Sequence, residues 1–422
     1  MDLALISAAP FVLALALALP TAQRQLGKTS QTWLSSLVMA VLFIWLLSFL
    51  PRVRAEGAVV QAFDWAPSLG VSLSFYLDGL SLLFGLIITG VGALIFFYAG
   101  YYFDAAAEHN RFMIWLSGFA GAMLSVVLSG NLLMMFVAWE LTSVTSFVLI
   151  GFKGADDAKS RAGAFKALFV TGGGALALII GIIMLSVAAG QILYPDESGR
   201  IAADLTEILR ASSLAQHEWY TLFAILILLG GFTKSAQFPF HFWLPGAMSA
   251  PTPASAYLHS ATMVKAGIYL FARLSPVMYQ NELWTGSLLT VGLLTMLVGA
   301  CFAVKQRDLK ALLAYSTVSK LGAIVAMLGL PGQSGIKAAL VGIIAHALYK
   351  SALFLVAGTI DHATGTRFID KLGGLRQRLP AMFAVTVISA LSMAGLPFLM
   401  GFVAKEVLLD AMLHYDGRWS AL

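Results

Sequence analysis

Long apolar runs fill almost the whole chain and are interrupted at short intervals by small clusters of charge. A helix needs about 20 mostly apolar residues to cross a bilayer. By that measure the pattern predicts spans near 2–20, 31–50, 76–99, 112–129, 131–150, 165–188, 219–249, 254–272, 284–303, 309–329, 336–358 and 380–415, twelve in all. The seventh and the last are too long for one straight crossing and hold Pro or Gly in mid-course. The expected fold is an all-α polytopic membrane protein.

The polar interruptions also give a direction. The loop after the first span has Arg24 and Lys28, and the loop after the fifth has Lys153, Lys159, Arg161 and Lys166. The loop after the ninth has Lys305, Arg307 and Lys310, and that after the eleventh has Arg367, Lys371, Arg376 and Arg378. All four follow odd-numbered spans, and basic loops mark the cytoplasmic side. The loop after the sixth span is acidic, with Asp196, Glu197, Asp204, Glu207 and Glu218, and falls on the other side. The N-terminus is therefore predicted outside a cytoplasmic membrane. The opening MDLALISAAPFVLALALALP has an acid at position 2 and no basic leader, so it reads as a first span and not as a cleaved signal.

Composition agrees. The 422 residues are 59% hydrophobic and 11% charged, against about 25% charged in a soluble domain. Mean hydropathy is +0.85. No stretch is long and polar enough for a separate soluble domain. The net charge of +5 is dispersed among short loops and does not point to nucleic acid. The single cysteine, Cys301, can form no intrachain disulfide and cannot hold an iron–sulfur cluster alone.

The candidate chemistry lies in the charges that the apolar runs do not exclude. Glu140 lies in LLMMFVAWELTSVTSFVLI, Lys234 in LFAILILLGGFTKSAQF, Lys265 in SATMVKAGIYLFA, and His346 and Lys350 in IIAHALYKSALFLV. An ionisable group at the bilayer centre costs roughly 2.5–3.5 kcal/mol on insertion scales. Bearing that cost on several helices predicts a route for protons or cations. His346 and Lys350 are spaced i and i+4 and share one helix face. A histidine beside a lysine suits proton hand-over near neutral pH. His241 and His259 flank GGFTKSAQFPFHFWLPGAMSAPTPA, where Pro239, Pro245, Pro251 and Pro253 must break the helix. A second break is expected in SALSMAGLPFLMGFVAKE, with Lys405 beside it. Backbone broken inside a membrane must be buried in protein or line a wet cavity.

Two interrupted helices five spans apart suggest inverted repeats with a site near the midplane. The expected division is 1–111 for three N-terminal helices, 112–275 for a first repeat, and 276–422 for a second. The second repeat would lack its last helix, so the chain is expected to be incomplete at its C-terminus.

Five stretches resemble the antiporter-like subunits of respiratory complex I and of Mrp-type multisubunit cation/proton antiporters. They are FVAWELTSVTSFVLIGF, FTKSAQFPFHFWLPGAMSAPTPASAYLHSATMVKAGIYLFAR, DLKALLAYSTVSKLGAIVAMLG, AHALYKSALFLVAGTI and AGLPFLMGFVAKE. The first two are most similar to the large A subunits of the Mrp type, because the complex I relatives usually carry threonine at the position of Lys265. The resemblance implies a proton-conducting subunit of a Na⁺/H⁺ antiporter without a cofactor. It implies other hydrophobic subunits as partners, including another antiporter-like one, besides lipid. It pairs Glu140 with Lys234, puts Lys265 at the central-axis position on helix eight, and makes Lys405 the terminal lysine beside the second break. The rivals within the superfamily are a proton-pumping subunit of an NADH:quinone oxidoreductase and the membrane subunit of an inorganic-carbon uptake system. A membrane anchor with no conduction is the reading from another class.

Each residue also has a plainer reading. Glu140 and Lys234 read equally as a structural ion pair, and Lys265 as a snorkelling lysine. His241 and His259 read as helix-packing histidines, or in principle as haem ligands, although no haem signature accompanies them. Glu406 is placed to neutralise Lys405. Lys320, where many relatives have glutamine, has no assigned role, and Asp78 at a span edge reads as interfacial. Gly172, Gly173 and Gly174 read as close helix packing and not as a phosphate loop, since no Walker lysine follows.

Overall fold

The computed structural model describes residues 2–66, 71–190, 203–211, 214–330 and 332–413. The principal helices are α1 (Asp2–Ala18), α2 (Lys28–Ser48), α3 (Gly79–Tyr102), α4 (Ala106–Leu128), α5 (Leu132–Ile150), α6 (Ala158–Ala188) and α7 (Tyr220–Lys234). They continue with α8 (Ala266–Met278), α9 (Glu282–Val304), α10 (Leu309–Leu328), α11 (Gln333–Thr364), α12 (Pro380–Ala394) and α13 (Met400–Leu413). Among the described residues, 8 helical stretches are long and apolar enough to cross a membrane. They fall at eight of the expected spans. The shorter apolar helices α1, α7 and α12, and the irregular stretch leading into α8, lie at the other four.

Side chains at the loop ends start the helices. Asp78 accepts from the Ser81 N–H at 2.9 Å, Asn131 from Leu133 at 2.9 Å, Asn281 from Leu283 at 2.9 Å, and Asp308 from Lys310 at 2.8 Å. Each satisfies a backbone donor that the first helical turn leaves open.

The loops sort by parity. Lys28, after the first span, donates to the carbonyl of Phe103, after the third. Arg111 reaches Phe152, after the fifth. Asp308, after the ninth, pairs with Arg367, after the eleventh, and the Ile369 N–H donates to the Arg307 carbonyl at 2.9 Å. On the opposite face the Leu132 N–H donates to Ala203 at 2.9 Å, and Asn281 reaches Ala215. Asp196 and Glu197 lie outside the described residues.

The pattern missed a hairpin. Ala58–Ala66 (β1) and Val71–Asp78 (β2) pair antiparallel, Ala58 opposite Asp78. The alternation in VVQAF and VSLSFYL is the strand signal, overshadowed by the longer apolar run that follows. The hairpin closes the second face: the Gly130 N–H donates to the Ser74 carbonyl at 2.8 Å. At its end Asp78 meets Arg273 of α8 in two hydrogen bonds of 2.6 and 2.8 Å. Arg273 also donates to Ser81 Oγ at 2.7 Å. Burial works to raise the Asp78 carboxyl. The hydrogen bonds and charge of Arg273, with the Ser81 N–H, bring it below its ordinary value.

Close packing at glycine joins α9 to α10. A Cβ on Gly322 would stand 2.4 Å from the Met296 nitrogen, and one on Gly292 2.4 Å from the Ala326 nitrogen. The expected Gly172–Gly174 packing is corrected in part. Gly174 abuts Thr233, but nothing lies within 4 Å of a Cβ on Gly172 or Gly173. The predicted 254–272 helix is also corrected. It is a short helix Thr252–Ala256, a π-turn Tyr257–Ala261, a 3₁₀ turn Met263–Lys265, and then α8.

Gly322→Leu should therefore lower stability by about 1–3 kcal/mol through overpacking, whereas Gly172→Leu should change it by less than about 0.5 kcal/mol. Thermal unfolding in detergent distinguishes them, and equal effects would contradict the packing assignment. A depressed folded value for Asp78 means its stabilisation is complete above the unfolded carboxylate range and is lost as pH falls through the folded value. Asp78→Asn should lower Tm at neutral pH and flatten its fall below about pH 4. Parallel pH–Tm curves for the two proteins would contradict this role.

Candidate proton-relay site

The prolines break the polypeptide after α7, and side chains take over the backbone groups the break frees. The Thr233 carbonyl accepts from Trp243 Nε1 at 2.9 Å, the Ser235 carbonyl from Gln237 Nε2 at 2.9 Å, and the Phe238 N–H donates to Thr295 Oγ1 at 2.9 Å. Inside lipid this substitution is what makes a broken helix tolerable.

Lys234 is the last residue of α7, where the negative end of the helix dipole favours a cation. It is fully buried. Its Nζ donates to Ser143 Oγ at 2.8 Å and to the Trp139 carbonyl at 3.2 Å, and lies 5.2 Å from the Trp139 ring centre. Ser143 in turn donates to Glu140 Oε1 at 3.4 Å. The expected Glu140–Lys234 pair is therefore not in direct contact within 4.0 Å; a serine hydroxyl stands between the charges. Glu140 is half-buried.

The π-turn carries His259, which is fully buried against Trp243, ring centres 6.0 Å apart. Neither ring nitrogen of His259 has a protein partner. The next residue, Ser260, hydrogen-bonds Ser351 of α11 at 2.6 Å, beside Lys350. The 3₁₀ turn carries Lys265, whose Nζ donates to the Ile343 carbonyl of α11 at 3.3 Å. Along α11 come His346, buried with both ring nitrogens unpartnered, and Lys350. Lys350 donates to the Leu313 carbonyl of α10 at 3.2 Å and to Ser316 Oγ. Ile343 to Lys350 is about 10 Å along a helix, so Lys265, His346 and Lys350 form one buried cluster.

Beyond it a cavity of about 530 Å³ opens toward the second break, lined by Ser316, half-buried Lys320 and exposed Lys405. Lys405 Nζ caps the Ala394 carbonyl at the end of α12, and Gly395 takes a positive φ of 84° there. Lys405, His241 and Asp78 are not drawn into the buried cluster, and Lys320 lines only the cavity beside it. Lys405 is at the surface. His241 is half-buried, stacks on Phe238 with ring centres 5.9 Å apart, and lies tilted to Phe302 at 6.3 Å. Asp78 belongs to the hairpin end.

The sequence reading missed three participants. Ser143 looks like ordinary helix packing until Lys234 is placed beside it. Lys310 counts as a loop cation by position, yet its side chain is buried and donates to the Ala250 carbonyl at 3.2 Å. That carbonyl also accepts from Ser255 at 3.4 Å, and Ser255 stands one helical turn before His259. Lys310 thereby leads from the odd-loop face toward the cluster. No group of three or more His, Cys, Asp or Glu suited to a metal occurs among the described residues.

The chain matches the family model described as "NADH:quinone oxidoreductase/Mrp antiporter, TM" over residues 129–422. It also matches one described as "NADH-Ubiquinone oxidoreductase (complex I), chain 5 N-terminus" over residues 65–113. It is 44% identical over 420 residues to the Na(+)/H(+) antiporter's A subunit from Alkalihalophilus pseudofirmus, covering 96% of this chain and 51% of that protein. It is 43% identical over 413 residues to the Na(+)/H(+) antiporter's A1 subunit from Staphylococcus haemolyticus, covering 94% and 50%. The chain thus spans about half the length of these relatives. A chain in the structure of the Mrp complex from Dietzia sp. superposes with a TM-score of 0.88 at 37% identity, over 100% of this chain and 44% of that one. A chain of the archaeal membrane-bound sulfane sulfur reductase superposes with a TM-score of 0.84 at 21% identity, over 99% and 83%, and shares the fold. The match over residues 129–422, which takes in both breaks and every buried lysine described above, places the chain in the NADH:quinone oxidoreductase/Mrp antiporter family of membrane proteins.

Proposed function

We propose that the chain is the proton-conducting part of a multisubunit Na⁺(cation)/H⁺ antiporter of the cytoplasmic membrane, with its N-terminus outside. The observation that carries this is the buried series Lys234, His259, Lys265, His346 and Lys350, tied across helices by Ser143, Ser260–Ser351, the Ile343 carbonyl and Ser316. Hydroxyls and carbonyls hold each ammonium, and the unpartnered histidine nitrogens offer positions to accept or release a proton between them. Water completing those contacts gives a continuous hydrogen-bonded path, since buried polar groups rarely stay unpaired.

Protons pass from the odd-loop face by way of Lys310 and Ser255 to His259, and along Lys265, His346 and Lys350 toward Lys320 and Lys405. Glu140 acts on Lys234 through Ser143, so a change of charge at Glu140 alters how firmly Lys234 holds its proton. The exchanged cation crosses elsewhere in the assembly, among other hydrophobic subunits that include a second antiporter-like one. Relatives named as Na(+)/H(+) antiporter A subunits support this choice over the oxidoreductase reading.

Glu140→Ala or Lys234→Ala should reduce Na⁺/H⁺ exchange by about 100-fold or more, the usual weight of a positioned proton-transfer group. The assay is dye-reported exchange in everted vesicles with the chain in its assembly. Ser143→Ala should retain part of the activity, and wild-type rates in all three variants would remove the paired-charge mechanism. His346→Ala should displace the pH–activity profile at unchanged assembly. A superimposable profile would make His346 a packing residue.

A further inference from the structure

The turn between α5 and α6 is gripped by two arginines that the relay does not use. Arg111 of α4 donates from Nη2 to the Phe152 carbonyl at 3.3 Å and lies 4.3 Å over the Phe152 ring. Arg161, in the first turn of α6, donates from Nη1 to the Gly154 carbonyl at 3.1 Å. Neither is in the ion pairs within 4.0 Å formed among the described residues. A guanidinium has five N–H donors, so each keeps most of them for another acceptor. Both line one open cavity of about 350 Å³.

The rest of that cavity wall is apolar. Phe147 and Phe165 line it, with ring centres 5.2 Å apart, and Phe165 stacks on Phe169 at 6.0 Å. Phe165 is 43% exposed and Phe169 72%. Phe169 also borders a second recess of about 380 Å³, with Gly173, Leu229 and Phe240. A Cβ on Gly173 would meet nothing within 4 Å, so the surface of α6 is flat there. From Arg161 to Gly173 is about 18 Å along a helix, close to the reach of a fatty-acyl chain. The arginines stand at the loop end of this strip.

We propose that this strip binds an anionic phospholipid, with its phosphate on Arg111 and Arg161 and one acyl chain along Phe165, Phe169 and Gly173. Planar guanidinium forks match phosphate oxygens, and basic pockets between transmembrane helices suit anionic headgroups. Asp156 and Asp157 share the turn, but Asp157 is engaged in capping the Lys159 N–H at 2.9 Å, and Lys153 and Lys159 offset both charges. A free phosphate ion would need the arginines only; the phenylalanine row is meaningful only for a lipid. The inner end of the second recess is walled by Thr233, next to Lys234, so the bound chain touches the broken helix.

The test is a titration of the delipidated protein in detergent with phosphatidylglycerol, read by native mass spectrometry, with phosphatidylcholine as the neutral control. Preferential retention of phosphatidylglycerol is expected. Arg111→Gln with Arg161→Gln should weaken it about 10–30-fold, the weight of two interfacial basic residues. The double Lys replacement should restore most of it, which separates charge recognition from misfolding. Phe165→Ala with Phe169→Ala should also weaken phosphatidylglycerol, and inorganic phosphate should not displace it. Equal retention of the two lipids, or an unaffected Gln pair, overturns the proposal. Displacement by inorganic phosphate with an unaffected Phe pair reassigns the site to a soluble anion and overturns it as well.

Discussion

The structure depends on how it holds a cation deep among apolar helices: by neutral oxygens of a neighbouring helix. Lys234 rests on Trp139 and Ser143, Lys265 on Ile343, Lys310 on Ala250, and Lys350 on Leu313 and Ser316. None of the four has a carboxylate within 4.0 Å among the described residues. A buried ion pair would fix the charge, because neutralising one member strands the other. A carbonyl or hydroxyl accepts from an ammonium and tolerates a neutral amine nearly as well. The same pocket therefore accommodates both protonation states, which a proton carrier requires.

The breaks and local irregularities bring the cations to these acceptors: the Trp139, Ile343 and Leu313 carbonyls lie inside the regular helices α5, α11 and α10, and Ala250 alone belongs to the break. A helical carbonyl accepts its own i+4 N–H and keeps a second lone pair for a side-chain donor. Lys234 sits at an α7 terminus created by the prolines. Ala250 ends the 3₁₀ turn Ala247–Ser249 of the same break. His259 and Lys265 occupy the π- and 3₁₀-turns that precede α8, and such departures inside helices often mark functional positions. Around them the bundle is rigid. Gly292 and Gly322 let α9 and α10 approach backbone to backbone, and the Asp78–Arg273 pair pins the far end of α8 to the hairpin. Irregular backbone at membrane depth survives because this frame leaves it no alternative partners.

What the sequence made legible follows from cost. A lysine inside an apolar run is visible because its presence is expensive, so Lys234, Lys265, Lys350 and their histidines stand out without a structure. The first break was equally plain, since four prolines in one run admit no continuous helix. Partners that cost nothing locally were invisible. Ser143 and Ser316 are ordinary helix residues, and a backbone carbonyl has no sequence signature. Lys310 sat among loop cations and was counted with them, although its aliphatic stem turns inward. Asp78 and Arg273 lie far apart in the chain, and only Asp78 stood out, as an edge residue. The 254–272 stretch read as one helix because apolar periodicity records which face is buried and cannot register a local change of helical pitch.

Arginine and lysine divide the work in a way that follows from their chemistry. The pairs at the loop faces and at the hairpin, Arg273–Asp78, Arg307–Asp370 and Arg367–Asp308, all use the guanidinium. It does not lose its proton in proteins and docks carboxylates in a fixed fork. Those contacts set the positions of helices and should be indifferent to the passage of a proton. The interior positions use the ammonium, a compact charge on a flexible stem whose proton can be lost when it is desolvated. Exchanging the two types would defeat each purpose: an arginine at Lys265 would place a permanent charge where the proposed path must be able to discharge. A lysine at Arg273 would replace two fork hydrogen bonds on Asp78 with a single mobile contact and loosen the end of α8. Charges that hold the fold and the charges proposed to move protons are thus kept on different side chains, and under that proposal the relay changes state without unfastening the bundle.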